Sequence, residues 1–273
     1  MSGFVPLLHS AAMSGTVRIE RDGSIGWIVF DQPERRNAVS AEMWRQIPGA
    51  IEAFAKDDDV RVVVMRGAGE AAFVSGADIS EFEERRRGGG GGAEYDRESA
   101  LAFRALVGLD KPLVAMIHGF CVGGGVALAL TADLRFAADD ARFAIPAARL
   151  GLGYSAALLE PLLTLVGQAK GLEILYTARR YRADEALAMG LVNAIAPKDA
   201  LESLVRETID RIAANAPLTL RGVKVAAREL AKDPGRRDND KVEAAVAACY
   251  DSDDYKEGVR AFLEKRKPAF KGR

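Results

Sequence analysis

Two glycine-centred segments constrain this chain more than any other feature. Phe73-Val74-Ser75-Gly76-Ala77-Asp78-Ile79 follows the β-branched apolar run Val62-Val63-Val64-Met65, and Gly119-Phe120-Cys121-Val122-Gly123-Gly124-Gly125 follows Leu113-Val114-Ala115-Met116-Ile117. Each then leads into a stretch of helical character. A strand that turns through glycine into a helix presents unpaired backbone N–H groups at the helix N-terminus, where negative charge is favoured. Two such turns aimed at one point would hold the oxygen of a thioester as it becomes an enolate, with no metal and no special side chain. Taken alone, Gly123-Gly124-Gly125 reads equally as a tight turn or a close helix–strand contact. It is not a phosphate loop, because no Lys-Ser or Lys-Thr follows and the GxGxxG spacing is absent. The ordered pair, with its flanking strands, is the specific signal.

Five motifs stand in a recognisable order: Pro33-Glu34-Arg35-Arg36-Asn37-Ala38, Ser75-Gly76-Ala77-Asp78-Ile79, Lys111-Pro112 through Gly125, Ala188-Met189-Gly190-Leu191-Val192, and Phe262 through Phe270. On these the chain resembles the enoyl-CoA hydratase/isomerase family, the crotonase superfamily, from about Val17 to Arg273. The resemblance implies an α/β fold, a crotonase-like spiral of ββα turns with a C-terminal α-helical oligomerisation region. It implies an acyl-CoA thioester substrate, no cofactor beyond the coenzyme A of that substrate, and a homotrimer or hexamer. The backbone N–H groups of Ala77 and Gly124 would form the oxyanion hole, each donor being worth roughly 3 kcal/mol. Arg35, Arg36 and Ala38 would bind coenzyme A, joined by Phe262 and Lys265 from a neighbouring subunit. Guanidinium and ammonium groups suit phosphates, although Lys265-Arg266-Lys267 is equally a basic helix end.

One departure bears on the reaction. Hydratases of the family carry one glutamate two positions after the glycine triplet and another directly after the proline of a later strand-loop. Those positions here are Ala127 and Ala147. General acid–base catalysis contributes about 10²–10⁴ per group, so the usual hydration mechanism lacks its side chains while enolate stabilisation survives. Replacement groups must come from the segment 147–160, whose polar members are Arg149, Tyr154 and Ser155. Gly151-Leu152-Gly153-Tyr154 resembles the element in which tyrosine assists the family's methylmalonyl-CoA-type decarboxylases, though those often place histidine where Ala77 stands. Tyr154 is then either a catalytic residue or an amphipathic wall. Arg149 either binds a substrate carboxylate or forms a surface ion pair. Asp78 is expected to cap the helix after it, His118 to be bonded into the core, and Glu81, Glu83 and Glu84 to lie on a solvated face. Three readings remain: a hydratase/isomerase-type enzyme, a malonyl-CoA-like thioester decarboxylase, or an inactive acyl-CoA-binding subunit.

With 49% apolar and 28% charged residues and a net charge of −1 over 273 residues, the chain suits a large globular unit that is neither a nucleic-acid nor a membrane-surface binder. Cys121 and Cys249 form no CxxC, so neither a disulfide framework nor a zinc site is indicated. No apolar run is long enough to span a membrane, and a cytoplasmic location is expected. Residues 1–15 read as a loose tail, 16–198 as the α/β core and 199–273 as the helical region. Within the core, Thr16–Glu20 and Gly26–Phe30 form a hairpin around Asp22-Gly23, and Ser40 caps a helix whose apolar face is Met43, Ile47, Ile51 and Phe54, kinked at Pro48. The run Gly88 to Gly92 loses too much backbone entropy to hold a shape unaided; it reads as a surface loop or as the hinge of a lid. No internal repeat is legible.

Overall fold

The computed structural model describes residues 15–78 and 91–273. The hairpin forms as expected from β1 (Thr16–Asp22) and β2 (Ile25–Asp31), antiparallel from Thr16↔Asp31 to Asp22↔Ile25. Its turn is Gly23-Ser24, one residue later than Asp22-Gly23, because Asp22 stays in the ladder and Gly23 takes the left-handed φ of 58°. Ser40 Oγ accepts from Met43 N at 3.2 Å and starts α1 (Ala41–Lys56), which continues through Pro48 as one helix. Its buried face is wider than expected, adding Ala41, Trp44 and Ala50 to Met43, Ile47, Ile51 and Phe54. Gly15, expected as the end of the tail, is instead buried against Gln32 and Met43.

β3 (Val62–Gly67), β5 (Leu113–Ile117), β7 (Leu134–Ala138) and β10 (Ala194–Ala196) extend β2 in parallel, giving a six-stranded sheet of order β1-β2-β3-β5-β7-β10. A parallel sheet covered on both faces reads as unbroken apolar runs, and the alternation is hidden inside them. Val63, Met65, Leu113, Ala115 and Ile117 point into a core shared with Trp44, Ile47 and Leu106. Val62, Val64, Val114 and Met116 point the other way, onto Leu201, Val205 and Ile209 of α7 (Leu201–Ala213).

A second sheet, of order β4-β6-β8-β9, was not anticipated. Its strands β4 (Ala72–Val74), β6 (Phe120–Val122), β8 (Arg142–Ala144) and β9 (Tyr181–Arg182) have two or three residues each. The spiral comes from alternating between sheets. β3 and β4 precede α2 (Gly91–Gly108), β5 and β6 precede α3 (Gly124–Thr131), and β7 and β8 precede a 3-10 turn (Pro146–Leu150) and α4 (Ala156–Val166). Thus the glycine turns do not follow the strands of the larger sheet directly; each follows a short strand of the smaller one. α5 (Gln168–Thr177) and α6 (Ala183–Ala188) lead to β10. After α7 come α8 (Pro217–Leu230), α9 (Asn239–Tyr250) and α10 (Asp253–Leu263). α8 is tied to the core by Lys224, whose Nζ donates to Asp133 Oδ2 at 2.7 Å and to Lys111 O at 2.9 Å. The glycine run is entered by α2 at Gly91. Glu81, Glu83 and Glu84, expected on a solvated face, the residues Gly88–Gly90 and the tail up to Ser14 lie outside the described residues.

Candidate active site

The first turn is built from the loop before α1. Arg36 and Asn37 both take left-handed backbone conformations, at φ 54° and 56°. Neither is glycine, so the conformation has to be held from outside. The buried Asn37 side chain does this: Nδ2 donates to Ala68 O (3.0 Å) and Ala72 O (2.8 Å), and Oδ1 accepts from Gln32 N (3.1 Å). The loop then delivers Val39 beside the turn, where Val39 N donates to Gly76 O (2.8 Å) and Asp78 N donates to Val39 O (3.1 Å). In this parallel bridge Gly76 O and Asp78 N face Val39, so the Ala77 N–H points the other way. It has no hydrogen-bond partner among the described residues.

The second turn is the start of α3. Gly123 takes φ 55°, and its N–H donates to Ala144 O at 2.8 Å. The carbonyl of Gly123 receives Val126 N and Ala127 N, which leaves Gly124 N–H as one of the orphan donors of a helix N-terminus. At Gly125 a Cβ would stand 2.1 Å from Val74 O, so only glycine lets α3 lie against β4. The two turns meet there. A methyl carbon on Gly124 would lie 3.7 Å from Ala77 N, and one on Gly123 would lie 3.9 Å from Gly76 Cα. Two unpartnered amides on abutting turns, one at a helix N-terminus, form an arrangement that favours a negatively charged oxygen.

No carboxylate stands at the two alanine positions. Ala127 is buried in α3 and Ala147 half-buried in the 3-10 turn. Tyr154 packs, like Ala147, against the large core. Its hydroxyl is buried with no hydrogen-bond partner among the described residues, and burial pushes its pKa up to about 12. It is therefore a neutral O–H at physiological pH. Arg149 is exposed and forms no ion pair among the described residues. His118 is buried and bonded to the Lys198 backbone, and desolvation lowers its pKa, so it is a neutral core histidine. Cys121 is fully buried beneath the second turn, and burial pushes its thiol up.

The residues implied for coenzyme A divide into two groups. Arg35 Nη1 donates to Asp78 Oδ2 at 2.5 Å, so Asp78 anchors the arginine loop to the first turn; the helix that it was expected to cap lies outside the described residues. Arg36 is exposed, with its guanidinium 4.7 Å from the centre of the Phe120 ring, and Ala38 is buried. These three residues border the first turn. Phe262 lies on α10 and Lys265, exposed, just beyond its end. Phe262 is 83% exposed and lines an apolar groove of about 660 Å³ with Val223, Tyr250, Tyr255, Val259 and Leu263, which shares no residue with either turn.

One participant escaped the sequence reading: Trp44, whose indole Cζ2 would lie 3.9 Å from a methyl on Gly124. Its signal was available, since Trp44, Ile47 and Ile51 fall on one helical face at spacings of three and four. Among the described residues no helix is long and apolar enough to cross a membrane, and no group of three or more His, Cys, Asp or Glu residues is placed to hold a metal.

Comparison with known proteins identifies the family of the chain. Residues 20–273 match the family model described as enoyl-CoA hydratase/isomerase. The chain is similar to a short-chain-enoyl-CoA hydratase of Clostridium acetobutylicum, 33% identical over 94% of this chain and 98% of the relative. It is also similar to a carnitinyl-CoA dehydratase of Escherichia coli O157:H7, 32% identical over 96% and 100%. Among solved structures, an enoyl-CoA hydratase/carnithine racemase from Magnetospirillum magneticum superposes with a TM-score of 0.88 at 35% identity, covering 96% of this chain and 98% of that one. A fold of ββα turns closed by C-terminal helices, and a sequence matched over nearly its whole length, place this chain in the enoyl-CoA hydratase/isomerase (crotonase) family, as an enzyme of the hydratase/isomerase type.

Proposed function

We propose that this chain converts an acyl-CoA thioester by stabilising its enolate between the Ala77 and Gly124 amides. The observation that carries this reading is the abutting pair of amides without partners among the described residues. The relatives' names, a short-chain-enoyl-CoA hydratase and a carnitinyl-CoA dehydratase, support the substrate class. Arg35, Arg36 and Ala38 border the first turn, where they would receive the nucleotide end of coenzyme A. Phe262 and Lys265 would be supplied by a neighbouring copy. The exposed groove around Phe262 is the face that a homotrimer, alone or paired into a hexamer, would bury. No cofactor beyond the substrate's own coenzyme A is required.

Within this reading Tyr154 is the proton donor. A hydroxyl with a pKa of about 12 is a poor base at neutral pH but a competent acid toward a carbanion. It would deliver its proton to the enolate carbon and recover one from water. Water addition to a double bond also needs a base to activate the water, and neither Ala127 nor Ala147 supplies one. This favours a second reading, decarboxylation of a malonyl-CoA-like thioester. There, loss of carbon dioxide leaves the electron pair on the α-carbon and needs only the hole and an acid.

The test is turnover of a panel of unsaturated, 3-hydroxy and malonyl-type CoA thioesters by the purified protein, followed by mass spectrometry. Gain or loss of one water supports the hydratase/isomerase reading, and loss of carbon dioxide supports the second. Tight binding of every ester with turnover of none would leave an inactive acyl-CoA-binding subunit and refute both.

A further inference from the structure

Gly124 faces more than the first turn. The methyl position that lies 3.7 Å from Ala77 N also lies 3.9 Å from Cζ2 of Trp44. The indole edge therefore stands one atom's width from the point between the two amides. Trp44 comes from α1, is 2% exposed, and packs on two rings of α2. Phe103 lies 5.2 Å away between centroids with the planes tilted by 49°, and Tyr95 lies 6.3 Å away, edge to face at 88°. The indole Nε1–H donates to the Tyr95 hydroxyl at 2.7 Å. An indole has this single donor. Swinging the ring aside would orphan it in a buried setting and break both aromatic contacts. Next to Trp44 in α1, Arg45 reaches Glu98, one turn along α2 from Tyr95, at 2.8 Å, so the helices are pinned at a second point.

We propose that Trp44, backed by Tyr95 and Phe103, is the wall that sets the acyl-chain length accepted by this protein. The proposal rests on the thioester reading above and deepens it. A thioester whose carbonyl oxygen lies between the Ala77 and Gly124 amides meets the indole on the α1 side. The space that a longer chain would need between α1 and α2 is already filled by three rings held in mutual register. The substrate is then an acyl group that is short and unbranched on that side. The two amides, common to any thioester, contribute nothing to this choice.

The experiment is calorimetric binding of butanoyl-, hexanoyl- and decanoyl-CoA to the full chain, with free coenzyme A as reference. In the unmodified protein, affinity should fall about tenfold or more from butanoyl to decanoyl, the scale on which an apolar pocket rejects extra methylenes. Trp44→Leu should reduce that fall to about threefold or less while leaving free coenzyme A unchanged. Because a buried tryptophan also supports the fold, Phe103→Ala and Tyr95→Phe are measured beside it; both positions are half-buried. Phe103→Ala should flatten the length profile, and Tyr95→Phe should do so in part by unlocking the indole. Affinity that is flat or rising with chain length in the unmodified protein overturns the wall, as does an equal change for free and acylated coenzyme A in the variants. Binding of neither coenzyme A nor any ester would remove the thioester reading itself.

Discussion

In the first turn, Asn37 commits its whole side chain to three backbone groups, Arg35 is paired to Asp78, and Val39 bridges Gly76 and Asp78. In the second turn no described side chain hydrogen-bonds to Gly123, Gly124 or Gly125, and the position is set by how closely α3 lies on β4. Each turn leaves one amide without a partner among the described residues, yet one turn is positioned by polar satisfaction and the other by the absence of side-chain volume. They should therefore fail differently: the first to loss of a hydrogen-bonding group, the second to gain of a methyl. The greatest effect is expected at Gly125→Ala. Its new Cβ would stand 2.1 Å from a backbone oxygen that cannot swing aside. Overpacking against main chain should cost upwards of about 3 kcal/mol, read as a collapse of the thermal transition or as insoluble protein.

The neighbouring substitution is expected to do the opposite to stability. At Gly124 the nearest heavy atoms to an added methyl are 3.7–3.9 Å away, and the residue is helical, with no positive φ. Gly124→Ala should hold or slightly raise the melting temperature, since alanine favours a helix over glycine by about 0.5–1 kcal/mol. The methyl, however, would occupy the space beside Ala77 N where the oxygen is to sit. Turnover should fall by about 10²–10³, the scale of a lost oxyanion donor. Full activity with Gly124→Ala would mean that the substrate oxygen lies elsewhere.

Asn37→Ala probes the first turn in the same terms. It leaves Gln32 N, Ala68 O and Ala72 O without their partner and removes the residue best suited to φ 56°. The expected loss is about 2–3 kcal/mol of stability, measured by denaturant titration, together with a drop in turnover from the displaced Val39–Gly76 bridge. A variant that lost stability but kept turnover would uncouple the loop from the hole.

How much of this was readable in advance follows from the range of each signal. The hairpin, the Ser40 cap, β3 and β5 are long enough, or chemically marked enough, to declare themselves locally. β4, β6, β8 and β9 are not, because two or three residues cannot display a period of two. They lie inside or beside segments that read as turns, so the second sheet, and with it the alternation that makes the spiral, was invisible. Ala77 and Gly124 were found through the glycines around them. Trp44 lies outside the narrow stripe Met43, Ile47, Ile51 and Phe54 because the buried face of α1 is wider than that stripe. The Arg35–Asp78 pair spans 43 positions and carries no local mark. Nor does the orphaned hydroxyl of Tyr154, since burial is a property of the packed chain.

Asp78→Asn tests the outer support of the first turn. The carboxylate is nearly buried but Arg35 is well exposed, and the screened pair is worth about 1 kcal/mol. A small loss of stability, diminished further by salt, is the expected outcome, with turnover reduced less than by Asn37→Ala. A larger effect than Asn37→Ala would reverse the ranking of the two supports.

Acidity separates the two amides, which do not titrate near neutral pH, from the Tyr154 hydroxyl. Its folded pKa of about 12 lies above the ordinary tyrosine value of 10. The unfolded chain therefore loses its proton first as pH rises. Relative to its value at neutral pH, stability is unchanged by this group below pH 10 and falls between about 10 and 12, on the order of 2 kcal/mol in all. Tyr154→Phe should flatten that alkaline decline. At neutral pH it should raise stability by about 1 kcal/mol, because it removes a buried hydroxyl with no partner. Turnover should nevertheless fall by about 10² or more if the proton comes from this hydroxyl. A Tyr154→Phe protein that is both more stable and fully active would make Tyr154 a wall residue and leave the two amides to act alone.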